Sequence, residues 1–186
     1  MPVRTLLTCE DFEKLAPQLG VCELVDGEVT ELSPAGMPQG HVTMCIASLL
    51  FDFVGRRHLG WVMGNETGIH VSRKKQRSRG ADVLFISYKR LPEGKLKKGF
   101  LTVPPELIVE VLGEEDTWPR VQEKVRDYHE FGVDMVWVAD PDNATVKILP
   151  RGGTPQTVGP EGEIDGGEIL PGFRVPVAKL FGRQLA

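Results

Sequence analysis

The sequence predicts an α/β protein whose mixed β-sheet is flanked by helices and carries a β-hairpin near its N-terminus. Three observations predict it. A strand-like run over residues 105–112, an amphipathic helix pattern over 119–131 and another strand over 135–139 follow in the order of a crossover between parallel strands. Asp26-Gly27, a turn that takes up positive φ at little steric cost, separates two short β-prone segments. A length of 186 residues with ordinary apolar and charged fractions suits one domain spanning 1–186, and excludes a disordered or fibrous chain.

From the N-terminus, Thr8 followed three residues on by Asp11 resembles a helix cap, ahead of a short helix over about 10–16. The hairpin, 22–25 with 28–32, then sets Val25 against Glu28 and Glu23 against Thr30. The Pro- and Gly-containing stretch 33–40 reads as a loop that delivers His41 to the start of a helix ending near Arg57. Val42, Ile46, Leu49, Leu50 and Phe53 form the core stripe of that helix, while His41, Cys45, Ser48 and Asp52 share a small, polar face. Residues 61–71 and 81–87 read as strands joined by a basic turn. In the helix over 119–131, Pro119 occupies the first turn and Gly132 lies just past the end. A strand over 145–149 follows, and the Gly-containing tail closes with a hairpin and a short terminal element.

The N-terminus lacks a basic region followed by an apolar stretch, and the longest apolar patch is too short to span a bilayer, so a cytoplasmic protein is expected. Cys9, Cys22 and Cys45 are odd in number and lack metal-binding spacing, which makes them reduced packing residues. No nucleophile elbow, phosphate-binding loop or dinucleotide fingerprint is present.

Two acids stand out. Glu110 lies inside the apolar run Leu107-Ile108-Val109-Glu110-Val111-Leu112, and Asp82 inside Ala81-Asp82-Val83-Leu84-Phe85-Ile86. A buried ionised carboxylate is neutralised, paired or bound to a cation, because leaving it alone costs several kcal/mol. Either the two acids share a hard cation, or each ends in water or on an Arg or Lys. On the helix over 119–131, Lys124 falls inside the apolar arc of Val121, Tyr128 and Phe131, while Arg120, Glu123, Arg126, Asp127 and Glu130 lie outside it. An inward Lys either meets an anion or snorkels to solvent. Two carboxylates and a Lys together suit phosphodiester hydrolysis with Mg²⁺ or Mn²⁺, which oxygen ligands favour over zinc.

Charge is uneven. The net charge is −4, yet residues 73–98 carry +8, leaving −12 on the remainder. A basic segment on an acidic body is the footprint of a polyanion-binding face, and Arg73, Lys74, Lys75, Arg77 and Arg79 are the candidate DNA-binding residues, with Lys95, Lys97 and Lys98 beside them. The competing reading is a solvated turn.

The stretch Cys22-Glu-Leu-Val-Asp-Gly-Glu28, then Leu32-Ser-Pro34, His41, Ala81-Asp-Val83, Glu106-Leu-Ile-Val-Glu-Val-Leu112, Lys124-Val-Arg-Asp-Tyr128, Gly132-Val133 and Val136-Trp-Val-Ala-Asp-Pro141 resembles the Uma-type putative restriction endonucleases of the PD-(D/E)XK nuclease superfamily, over about residues 8–180. The resemblance implies a restriction-endonuclease-like fold and a Mg²⁺-dependent DNA endonuclease. It matches Asp82 to the superfamily Asp and Glu110 to the Glu of the Glu-x-Lys motif. Leu112 stands where that motif has its Lys, and the resemblance moves the Lys to Lys124. It further implies an accessory acid at Glu23 and a recurrent helix-start residue at His41, and it leaves a homodimer open. Two departures are Ala81 in place of Pro, and Gly113-Glu114-Glu115-Asp116 in place of Ser-Pro-Ser, which adds acids that either repel phosphate or supply further metal ligands. A nuclease-fold binding or scaffold protein without turnover is the alternative.

Overall fold

The structure, a computed structural model, describes residues 6–182. Helix α1 (Cys9–Leu19) starts where Thr8 caps it, the Thr8 hydroxyl accepting from the Asp11 N–H at 3.1 Å. It runs three residues past the expected end, to Leu19, and its apolar face, Phe12 foremost, packs on Leu24. Strands β1 (Cys22–Val25) and β2 (Glu28–Glu31) form the hairpin in the expected register, with Val25 opposite Glu28 and Glu23 opposite Thr30. Helix α2 (Met37–Arg57) begins four residues before His41. The Pro and Gly that suggest a loop are its start: Gly36 is the cap residue and Pro38 lies in the first turn, where a missing N–H leaves no hydrogen bond unmade.

Strands β3 (Gly60–Ser72) and β4 (Arg77–Ser87) are joined by residues 73–76, so Arg77 and Arg79 belong to a strand and not to a turn. After β5 (Leu107–Val111) comes α3 (Trp118–Phe131), ended by Gly132 at φ 114°. Then follow β6 (Met135–Asp140), β7 (Thr145–Pro150), β8 (Gln156–Val158), β9 (Glu163–Asp165), β10 (Arg174–Pro176) and α4 (Val177–Leu180). The closing hairpin is β9 with β10, and β8, a strand with no clear signal in the sequence, adds an edge beside β7.

The eight-stranded mixed sheet runs β2-β1-β4-β5-β6-β7-β8, with β3 on the other edge of β4. The expected crossover is present: β5 and β6 are parallel, Glu110 level with Val138, and α3 connects them. Alternation along the strands divides the core. Val83, Phe85, Val109 and Val111 face α2 and α4; Leu84, Ile86, Ile108, Val136 and Val138 face α3. A sheet covered on both sides explains why β4 and β5 are apolar almost without interruption. No helix among the described residues is long and apolar enough to cross a membrane.

Candidate active site

Asp82 and Glu110 are brought together on the α3 face of the sheet. In the antiparallel β4–β5 ladder Val83 pairs with Val109 and Leu84 with Ile108, and one step further along the two acids follow the same alternation. Both are buried. Asp82 Oδ2 accepts from the Val111 N–H at 2.7 Å, and among the described residues Asp82 makes no ion pair. Burial, then the charge of Glu110, then that of Glu66 push its pKa up to about 8.

Glu110 is held at both oxygens. Lys124 Nζ donates to Oε2 at 2.5 Å, and the Tyr128 hydroxyl lies 2.7 Å from Oε1 and 2.8 Å from the Gly80 carbonyl. Tyr128 has one proton for two acceptors, an arrangement completed when Glu110 itself carries a proton. Burial raises the Glu110 pKa to about 7, and the nearby Lys124 only partly offsets it. Burial opposes the charge on Lys124, yet Glu110 outweighs it and holds the ammonium protonated well above its ordinary range. The Lys that the wheel places on the apolar arc of α3 thus ends on a carboxylate, its side chain 18 % exposed.

Glu23 reaches the same place from β1. One oxygen lies 3.3 Å from Lys124 Nζ and accepts from the Gly80 N–H; the other accepts from Arg79 Nη1 at 2.9 Å. Burial disfavours its charge, but Lys124 and Arg79 hold its pKa below the ordinary carboxylate range. Lys124 therefore bridges Glu110 and Glu23 across two strands.

Five of the ten cations in the basic segment, Arg73, Lys75, Arg77, Arg79 and Arg90, are paired with acids, and for Arg77 and Arg79 this corrects the DNA-binding expectation. Arg79 is 5 % exposed and forks between Glu23 and Asp127, at 2.6 Å from the latter. Arg77 pairs with Asp26 through two 2.7 Å hydrogen bonds and with Asp127 at 2.8 Å. Neither side chain presents a free cation to a phosphate, because strand alternation and the overlying hairpin turn both into acid-lined surroundings. Arg73 pairs with Glu10 and Lys75 with Glu130, both on the surface. Lys74, Lys95, Lys97 and Lys98 are exposed and make no ion pair among the described residues.

His41 lies elsewhere, on the outer face of α2 across the sheet, with Nε2 3.6 Å from Cys45 Sγ. The acids at 114–116 hold loops: Glu115 accepts from the Ser33 hydroxyl and Asp116 from the Gly113 N–H.

Three neighbours of the site are not apparent from the sequence. Tyr128 reads as core, and its hydroxyl gives no separate signal. Asp127, placed outside the apolar arc of α3, is buried because the hairpin side of the molecule covers that flank. Glu66 is aimed by a bulge in β3, where the register slips between Gly64 and Thr67 and both Asn65 and Glu66 adopt positive φ. Its carboxylate lies over Gly80, where an added Cβ would collide with Oε2. The glycines at 64 and 68 around Asn65 are a legible bulge signal.

Among the described residues no three His, Cys, Asp or Glu side chains converge as a ready metal cage. A hard cation needs less: Mg²⁺ is held by one or two carboxylates with water and phosphate oxygens completing the shell. Asp82 and Glu110 fit that requirement, being all-oxygen donors with a surplus of negative charge beside one ammonium.

The comparisons with known proteins agree with this architecture. A solved structure described as a putative nuclease belonging to DUF820 from Anabaena variabilis superposes with a TM-score of 0.80 at 16 % identity, covering 95 % of this chain and 98 % of the other. No curated protein matches the chain. The model of the Uma2 family, putative restriction endonucleases, matches residues 9–178, and the chain belongs to that family.

Proposed function

We propose that this protein is a metal-dependent DNA endonuclease that hydrolyses phosphodiester bonds. One observation carries the reading: Asp82, a buried carboxylate without an ion-pair partner among the described residues, sits beside a second buried carboxylate, both with raised pKa. Asp82 and Glu110 would hold Mg²⁺ or Mn²⁺, which when bound polarises a phosphate and acidifies a water. Lys124 stabilises charge that builds on the phosphate or orients the attacking water, and Glu23, fixed by Arg79, keeps the ammonium in place. Tyr128 fixes the rotamer of Glu110. The exposed Lys74, Lys95, Lys97 and Lys98, with Arg73 and Lys75 at the rim, would attract the DNA backbone.

The test is plasmid nicking with Mg²⁺ or Mn²⁺, against Ca²⁺ and chelator controls. Cleavage is expected with the first two only, since Ca²⁺ fills oxygen sites but activates water poorly. Asp82→Asn should lose both cleavage and metal affinity.

A second reading, a catalytically inactive nuclease-fold DNA-binding or scaffold protein, has its own support: both oxygens of Glu110 already have partners, Lys124 and Tyr128. Calorimetry that finds no Mn²⁺ binding at millimolar levels, together with no nicking, would establish that reading instead.

A further inference from the structure

A cavity of about 390 Å³ opens between α3 and the β7–β8 edge of the sheet. No carboxylate among the described residues lines it, although acids outnumber bases in the chain by 26 to 22. Helix α3 contributes Trp118, Gln122, Arg126 and His129, which fall within about 80° of arc at 100° per residue. Lys124 lies outside that arc and reaches Glu110 on the other flank of the helix, so α3 stands between the cavity and the carboxylate pair. From the sheet, strand alternation turns Lys147 toward α3, while its neighbours Val146 and Ile148 join the core on the opposite face.

Two cations border this space without an acid to hold them. Most arginines among the described residues pair with an acid, Arg77, Arg79, Arg90 and Arg151 among them. Arg126 makes no ion pair among the described residues, and Glu130, one turn further along α3, is held by Lys75. Lys147 lies over the Trp118 ring instead, its Nζ 4.3 Å from the centroid. The amides of Gln122 and Gln156 and the Trp118 indole N–H have no hydrogen-bond partner among the described residues. His129 Nε2 donates to the Leu149 carbonyl at 3.1 Å and burial lowers its pKa, so at pH 7 the ring is neutral and Nδ1 is an acceptor.

We propose that this cavity binds a phosphorylated nucleoside, with the phosphate on Arg126 and Lys147 and the base against the Trp118 ring. An arginine and a lysine without an acid match a phosphate in charge and in donors. An aromatic face beside them suits a nucleobase, because every base has a flat π-face that stacks on indole. Free amides and a neutral imidazole supply donors and acceptors together, which a base edge and a sugar use and an inorganic anion does not. The volume lies within the range of small-ligand sites. The ligand is either a free mononucleotide or the 5′-terminal nucleotide of a DNA strand. Being on the far flank of α3 from Glu110, the site does not rest on the hydrolysis reading.

Calorimetry of the full chain with 2′-deoxyadenosine 5′-monophosphate tests this, in chelator so that no cation carries the phosphate to Asp82 and Glu110. Binding with a Kd of about 1 mM or tighter is expected. Inorganic phosphate and deoxyadenosine should each bind at least about tenfold more weakly. Arg126→Gln with Lys147→Gln should weaken nucleotide binding at least about tenfold, and Trp118→Leu about tenfold, while Trp118→Phe keeps most of the affinity. Lys14→Gln with Lys179→Gln removes the same charge from exposed positions elsewhere and should bind as wild type; each variant is checked for an unchanged circular dichroism spectrum. Displacement of the nucleotide by a 5′-phosphorylated oligodeoxynucleotide and not by its unphosphorylated twin assigns the site to a strand end, and displacement by neither assigns it to a free nucleotide. Equal displacement by both strands overturns the proposal, since the site would then read any DNA backbone. So does an affinity indifferent to Arg126→Gln with Lys147→Gln, phosphate binding as tightly as the nucleotide, or no binding at about 10 mM.

Discussion

Replacing Asp82 with Asn should make the metal-free protein more stable at alkaline pH, although it removes a residue placed at the candidate active centre. Burial and the charge of Glu110 move the Asp82 pKa from 3.8 to about 8. An acid whose pKa is higher folded than unfolded holds its proton in the native state while the unfolded chain has lost it. Its contribution is therefore neutral below about pH 4, turns increasingly destabilising as pH rises from there, and levels off above about pH 8. At 1.36 kcal/mol per pKa unit the full penalty is roughly 6 kcal/mol. Water penetration and the nearby Lys124 ammonium reduce the realised figure to about 2–4 kcal/mol. Asn keeps the Val111 hydrogen bond through its amide oxygen and carries no charge. Urea unfolding in chelator at pH 5 and pH 8.5 measures the difference between the two proteins, in which the other titrating groups largely cancel. Asp82→Asn should gain about 1.5–3 kcal/mol on wild type between those pH values, because roughly a third of the penalty is already present at pH 5. Saturating Mn²⁺ should reverse the order by stabilising wild type alone. If Asp82→Asn is less stable than wild type in chelator at pH 8.5, the carboxylate is a structural ion-pair member and not a ligand awaiting a cation.

Lys124→Met should lower cleavage by a factor of about a hundred or more while the protein still folds, as removal of a preorganised positive group from a reacting phosphate does; retained nicking would remove Lys124 from the chemistry. Arg79→Met leaves Glu23 and Asp127 buried without their shared cation and should cost about 3–5 kcal/mol in urea unfolding. A loss below about 1 kcal/mol would mean that the hairpin opens readily to water. Neutralising Lys74, Lys95, Lys97 and Lys98 should reduce the slope of log DNA affinity against log salt by up to about 0.9 for each lysine in phosphate contact. An unchanged slope in fluorescence anisotropy would show that DNA, if bound, lies elsewhere.

The local code of this chain is strong where one residue pattern settles one geometry. Asp26-Gly27 sets the hairpin register because few residue pairs tolerate the two turn positions, and Asp26 indeed has a φ of 52°. Apolar runs at 81–86 and 107–112 mark strands covered on both faces, so the acids within them stand out from the residue pattern alone. The period of α3 places Lys124 inward. Residues 33–40 read as a loop, yet the last four of them belong to α2, because Pro and Gly break helices inside but start them at the first turn. Only the continuation of the helix tells the two apart.

What spacing along a chain cannot encode is which charges meet. Arg79 and Glu23 are 56 residues apart, and their pairing exists only because the hairpin folds back onto β4. That one contact turns an expected DNA-binding cation into the buried anchor of Glu23, and it draws Asp127 inside from a face the helical wheel assigns to solvent. Glu66 owes its position to a bulge, a slip of register that depends on the partner strand. Periodicity is local and determined by the sequence alone, so it names the elements, their faces and the two strand carboxylates. The surroundings of a charge are set by segments distant in sequence, so the tertiary structure decides which cations are free, which are neutralised, and that Asp82 is left without one.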